Sequence, residues 1–169
     1  MKRLLAIFVV FLLSACAATG PAYQAAPAPA AGQALVYIYR LNTVYGGGRD
    51  TYFYVDGKNI ADLSVEGYTA FYVPAGEHKF EQKWPADMPQ GKTINLWKLW
   101  TKEDPADSAK KPGLQEGAVN WEAGKTYYYR FSAAPNGRNQ YEWILAEITA
   151  EQAYPDLKKS KLQKPFNNK

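Results

Sequence analysis

The sequence predicts an all-β fold: a small antiparallel β-sandwich with one short C-terminal helix and a long insert between two strands. Three observations predict it. About seven short runs rich in β-branched and aromatic residues follow one another from residue 35 to residue 148. Turn sequences stand between them, chiefly Asp56-Gly57, Pro74-Ala75-Gly76 and Glu122-Ala123-Gly124-Lys125. The only helix signal lies after the last run, at Thr149-Ala150-Glu151-Gln152.

The first run, Leu35–Leu41, is apolar on both alternating sets: Leu35, Tyr37 and Tyr39 on one side, Val36 and Ile38 on the other. That pattern predicts a central strand covered on both faces. Gly46–Gly48 reads as a loop. Thr51–Val55 is a second strand, and Asp56-Gly57 turns it into Lys58–Leu63 as a hairpin, since both turn residues accept positive φ. Tyr68–Val73 runs to the Pro74-Ala75-Gly76 turn, and Glu77–Trp84 follows with His78, Phe80, Gln82 and Trp84 on one side. The insert occupies about residues 85–117. Thr126–Ser132 and Gln140–Ile148 form the last strands around a turn at Pro135–Asn139. The capping box then opens a helix to about Lys159, with Ala153 and Leu157 on one face. Pro155 is compatible with a good helix only in its first turn.

The amino terminus carries a different signal. Met1–Arg3 holds two positive charges, Leu4–Leu13 is uninterruptedly apolar, and Ser14 and Ala15 lead into Cys16, the single cysteine. A basic start, about ten apolar residues and small residues before a cut describe a secretory signal. The stretch falls short of the ~20 residues that cross a bilayer. L13-S14-A15-C16 resembles the bacterial lipobox. That resemblance implies cleavage before Cys16, a diacylglycerol thioether on its sulfur and an acylated new amine. An ordinary signal with an incidental cysteine is the alternative. Ala17, where an Asp would resemble an inner-membrane retention signal, implies the periplasmic face of the outer membrane. With its thiol consumed, Cys16 forms no disulfide.

The domain organisation follows: residues 1–15 a signal peptide, 16–33 the lipidated cysteine and a tether, 34–157 the sandwich, 158–169 a basic disordered tail. Ala17–Gln33 is rich in Ala, Pro and Gly, with Tyr23 its only large apolar side chain. Such a composition does not offset its ordering entropy. As an extended tether it would reach up to about 50 Å from a lipid surface. Loss of Lys2 and Arg3 lowers the formal charge from +4 to +2. Lys158, Lys159, Lys161, Lys164 and Lys169 stand in the tail without an acid, so the body before them is slightly acidic. That distribution does not describe a nucleic-acid groove.

Four segments carry a family resemblance: A34-L-V-Y-I-Y-R40, V55-D-G-K58, P74-A-G-E-H78 and A123-G-K-T-Y-Y-Y-R130. In this order behind a lipobox they resemble bacterial envelope lipoproteins carrying the domain of unknown function 2846. The V-D-G and P-x-G-x-H pair also resembles the PEGA surface-layer-like β domain. The resemblance covers about residues 34–157 and implies a small exported β-sandwich. It carries no activity over, and the insert departs from it.

Catalytic chemistry finds few residues here. With one histidine in the chain, a Ser-His-Asp or Cys-His arrangement must use His78, and a histidine-rich zinc site is excluded by counting. His78 reads as a residue that satisfies its own turn. Gly46-Gly47-Gly48 lacks the Lys and helix of a phosphate loop. The 16 acids show no spacing that singles out a glycosidase pair. No catalytic residue, metal or cofactor is expected. Trp84, Trp97, Trp100 and Trp121 are the candidate ligand-binding residues, as an aromatic platform for glycan or peptide. Burial in an extra hairpin is the alternative. Tyr127, Tyr128 and Tyr129 must divide between two faces, as core or as an exposed patch. The lysine tail could touch anionic lipid or cell-wall polymer, or simply be solvated. The expectation is a non-catalytic accessory, structural or binding module of the envelope. Its partners would be the membrane through the anchor, and cell-wall glycan or envelope proteins, with no nucleic acid. A peptidoglycan- or peptide-binding protein is the alternative, and a glycan hydrolase a weaker one.

Overall fold

A computed structural model describes residues 18–43, 48–83, 115–135 and 141–164. Among these residues nine strands and one helix follow in the order β1 (Gln33–Arg40), β2 (Thr51–Val55), β3 (Lys58–Leu63), β4 (Gly67–Pro74), β5 (Gly76–Lys83), β6 (Gln115–Trp121), β7 (Thr126–Pro135), β8 (Tyr141–Ile148), α1 (Ala150–Leu157) and β9 (Lys161–Leu162). They make two sheets, β8-β7-β1-β4-β9 and β3-β2-β5-β6. The all-β sandwich is thus the observed architecture, and the one helix among the described residues lies near the C-terminus.

β1 sits in the middle of the first sheet and is buried on both faces, as its two apolar sets require. Ala34, Val36 and Ile38 enter the layer between the sheets with Phe53, Leu63, Phe80, Trp121, Phe131 and Trp143. Leu35, Tyr37 and Tyr39 face the other way and pack with Tyr68, Ala153 and Leu157. The fold therefore has three layers: the second sheet, the first sheet, and a cover of α1 with the amino-terminal segment. Arg40 continues the inner face of β1. Its guanidinium Nη1 donates to the Leu63 carbonyl at 3.1 Å and to the Arg49 carbonyl. Burial pulls its pKa down to about 10 against the opposing pull of Asp50.

The local signals place the turns. Asp56 and Gly57 take φ of 50° and 78°, the left-handed pair that a two-residue hairpin needs. The capping box forms: Gln152 N–H donates to Thr149 Oγ1 at 3.4 Å, and Thr149 N–H donates to Gln152 Oε1 at 3.2 Å. Ala153 and Leu157 are buried together, as their spacing predicts. Pro155 lies past the first turn, and the helix ends two residues after it.

Four expectations need correction. The sheets are not wholly antiparallel: β1 pairs with β7, and β4 with β9, in parallel. The strand β6 begins within the expected insert of residues 85–117 and pairs with β5 from Gln82↔Gln115 to Gly76↔Trp121. Its sequence, QEGAVNW, has little β propensity of its own, and the pairing is a tertiary choice. The stretch from residue 18 to residue 33 is not a free tether. It packs along the outer face of the first sheet. The tail is not wholly disordered either, since Ser160 is buried and Lys161–Leu162 forms β9. Of the Gly46–Gly48 loop, Gly46 and Gly47 lie outside the described residues.

Candidate functional site

The outer face of the first sheet is built from tyrosines, and it holds the amino-terminal segment as a strap. Alternation along β1 sends Tyr37 and Tyr39 outward. Their neighbours across the sheet, Tyr68 on β4 and Tyr128 on β7, come up beside them in register. Tyr37 and Tyr128 stack with ring centroids 5.1 Å apart and planes at 5°. The strap adds Tyr23, whose ring lies 5.3 Å from Tyr68, 6.1 Å from Tyr37 and 6.2 Å from Tyr154 of α1. Edge-to-face contacts of this kind are each worth about 0.5–1.5 kcal/mol beyond area burial. Burial raises the Tyr23 hydroxyl pKa, and the neighbouring tyrosines push it the same way.

The hydroxyls of this face serve the backbone of the strap. Gln24 N–H donates to Tyr68 Oη at 3.2 Å, and Ala26 N–H donates to Tyr37 Oη at 2.7 Å. Tyr72 Oη donates to the Pro27 carbonyl at 2.8 Å. An extended Pro- and Ala-rich chain has no internal hydrogen bonds, so its amides need outside partners, and tyrosine combines an apolar body with such a group. Prolines at 21, 27 and 29 also lower the entropy lost on docking.

At its start the strap pairs with β9. Leu162 N–H donates to the Pro21 carbonyl at 2.7 Å, Tyr23 N–H to the Ser160 carbonyl at 3.2 Å, and Ala18 N–H to the Val65 carbonyl at 3.0 Å. Gly20 passes so close to β9 that a Cβ there would stand 1.7 Å from the Leu162 carbonyl oxygen. At its far end Ala75 N–H donates to the Gly32 carbonyl at 2.9 Å. The strap therefore runs the full length of β4, from the β3–β4 turn to the β4–β5 turn.

His78 lies at that far end, in the turn motif that singled it out. Its Nδ1 is 2.6 Å from Asp56 Oδ2 and its Nε2 is 2.8 Å from the Pro74 carbonyl. Both partners are acceptors, so the doubly protonated ring, which donates from both nitrogens, satisfies this geometry in full. Burial alone would lower its pKa. The hydrogen bonds to Asp56 and Pro74 and the Asp56 charge outweigh burial and raise it. Asp56 Oδ1 also accepts from Lys79 N–H at 2.9 Å. The side chain of His78 ties two turns together. A depression of about 590 Å³ beside it is lined by Glu77, His78, Lys79, Gly117 and Ala118.

Trp121 is fully buried, and its Nε1 donates to Tyr129 Oη at 3.0 Å, which in turn donates to Glu147 Oε2 at 3.0 Å. His78 stacks on it at 5.2 Å. Trp121 is thus a core residue and no part of an exposed platform. Trp84, Trp97 and Trp100, the other candidate ligand-binding residues, and Cys16, the expected lipidation site, lie outside the described residues. Tyr129 and Tyr127 turn toward the inter-sheet layer and Tyr128 toward the strap face, so the triplet divides between two packed surfaces. The tyrosine face that receives the strap was the feature that sequence reasoning missed. Tyr23, alone among small residues, was the one signal that pointed to it.

A family model described as "Protein of unknown function (DUF2846)" matches residues 30–141. The chain belongs to this family. The match spans the strands from β1 into the start of β8 and leaves most of the strap, α1 and β9 outside it. No curated protein matches the chain.

Proposed function

We propose that this chain is a bacterial envelope lipoprotein. It is cut before Cys16, lipidated there, and carries a non-catalytic DUF2846 body that serves as an accessory or binding module. The observation that carries the reading is the sequence from Met1 to Cys16: two cations, an apolar run too short to span a bilayer, and L-S-A-C at its end. One acyl chain holds a protein marginally, while two or more hold it stably. Among the described residues no helix is long and apolar enough to cross a membrane. Ala17 after the cysteine favours the periplasmic face of the outer membrane. The double hydrogen bonding of His78 supports a non-catalytic body.

The test is expression of the full chain in a Gram-negative host, with membrane fractionation and mass spectrometry of the amino-terminal peptide. Cleavage before Cys16 with a diacylglycerol mass on it is expected, and Cys16→Ser should lose that processing. A free thiol, or a cut elsewhere, would sink the anchor. A glycan-hydrolysing rate abolished by a carboxylate substitution would sink the non-catalytic reading.

A further inference from the structure

The docked strap determines which end of the fold meets the anchor. Ala18 is hydrogen-bonded to Val65 in the β3–β4 turn, and only Ala17 stands between it and Cys16 in sequence. Extended chain spans at most about 3.5 Å per residue, so an anchor at Cys16 would be joined to Ala18 by no more than about 7 Å of chain.

The same end collects the lysines of the C-terminal segment. Lys158 caps α1, and Lys161 pairs with Gly67 of β4 and with Ala22 of the strap. Lys161 N–H donates to the Glu66 carbonyl at 2.8 Å, which places β9 against the β3–β4 turn. Lys158, Lys159, Lys161 and Lys164 are all exposed. Elsewhere Lys79 and Lys83 pair with Glu81, and Lys125 with Glu122. These four form no ion pair among the described residues, and Lys158 Nζ lies 4.3 Å over the exposed Tyr154 ring. Acids at this end include Asp50, Asp62, Glu66 and Asp156. Asp50 accepts from Ser64 Oγ, and Asp156 accepts from Tyr39 Oη.

We infer that this end of the fold lies on the bilayer, where Lys158, Lys159, Lys161 and Lys164 bind the phosphate groups of anionic phospholipids. The inference rests on the lipid anchor proposed above. An anchor joined to Ala18 by two residues of chain draws this end of the fold toward the headgroups, where charges act within one Debye length, about 8 Å. At that range each lysine is worth about a fivefold change in partition. Lys58 and Lys125 occupy the opposite end, in the Asp56-Gly57 hairpin and the β6–β7 turn, and serve as internal controls.

The experiment uses the mature lipidated protein, purified in detergent and reconstituted into phosphatidylcholine vesicles or into phosphatidylethanolamine–phosphatidylglycerol vesicles. Lysine acetylation rates are read residue by residue by mass spectrometry. Rates at Lys158, Lys159, Lys161 and Lys164 should fall about fivefold on the anionic vesicles. They should recover in high salt, with Lys58 and Lys125 unchanged. Equal rates at the four lysines on both vesicles, or an equal fall at Lys58 and Lys125, would overturn the inference. The amino-terminal peptide from the same digest reports the anchor separately. A lipid on Cys16 with unprotected lysines defeats this inference alone, whereas an unmodified Cys16 defeats the anchor.

Discussion

Tyr23→Ala should release the strap while leaving the sandwich folded. The ring sits among Tyr37, Tyr68 and Tyr154, half-buried rather than enclosed. Truncating a fully buried aromatic to alanine costs about 3–5 kcal/mol, and a half-buried one correspondingly about 2 kcal/mol. That loss falls on a segment attached to the body by a few backbone hydrogen bonds, so it appears as local opening. About 2 kcal/mol corresponds to a roughly thirtyfold rise in the open population. Native-state hydrogen exchange reads it directly. The amides of Gln24 and Ala26, which donate to Tyr68 and Tyr37, should exchange about thirtyfold faster. The amide of Ile38, in the central strand, should keep its protection. Tyr37→Phe is the finer control: it removes the acceptor for Ala26 N–H and should cost about 1 kcal/mol at that amide. Fast exchange of Gln24 and Ala26 in the unaltered protein would refute the docked strap. A parallel loss of protection at Ile38 would refute its independence from the core.

Two further outcomes are expected. His78 has a raised folded pKa, so its contribution to stability is complete below its ordinary value near 6.5 and is lost as pH rises through the folded value. The urea midpoint should therefore drop from pH 6 to pH 9, and His78→Gln should flatten that slope; an unchanged slope in the variant would assign it to other groups. Asp56 acts oppositely, through a lowered pKa, and its share is lost only in acid. Trp121→Ala should cost about 3–5 kcal/mol by chemical denaturation, the range for buried aromatics; a cost below about 1 kcal/mol would mean that the ring is not core.

Most of the sandwich was legible because its signals are local. β1 carries apolar residues on both faces, and both are covered. Asp56-Gly57 takes the positive φ that its residues tolerate, and Thr149 and Gln152 complete their box. The unread parts depend on partners distant in sequence. QEGAVNW at β6 has little β propensity and is a strand because β5 presents an open edge. The tryptophans illustrate the same limit: spacing alone could not say whether Trp121 was a platform or a core residue, and its burial between the two sheets decides it.

The candidate surface divides in the same way. The lysines from 158 to 164 are plain in the chain, yet nothing local sets them beside Ala18. That neighbourhood arises from β9 pairing with both β4 and the strap.

The sequence by itself determined the strand-rich class, the hairpin and helix-start turns, and an amino terminus in which two cations and an apolar run precede Cys16. These depend on residue alternation, on φ tolerance and on hydropathy, which act within a few neighbours. Only the tertiary structure decided that the Pro- and Ala-rich segment is docked, that both ends of the body meet at one turn, that His78 bridges two turns and that Trp121 is core. Those outcomes required hydroxyls and edges contributed from far along the chain to meet backbone groups that have no local partner.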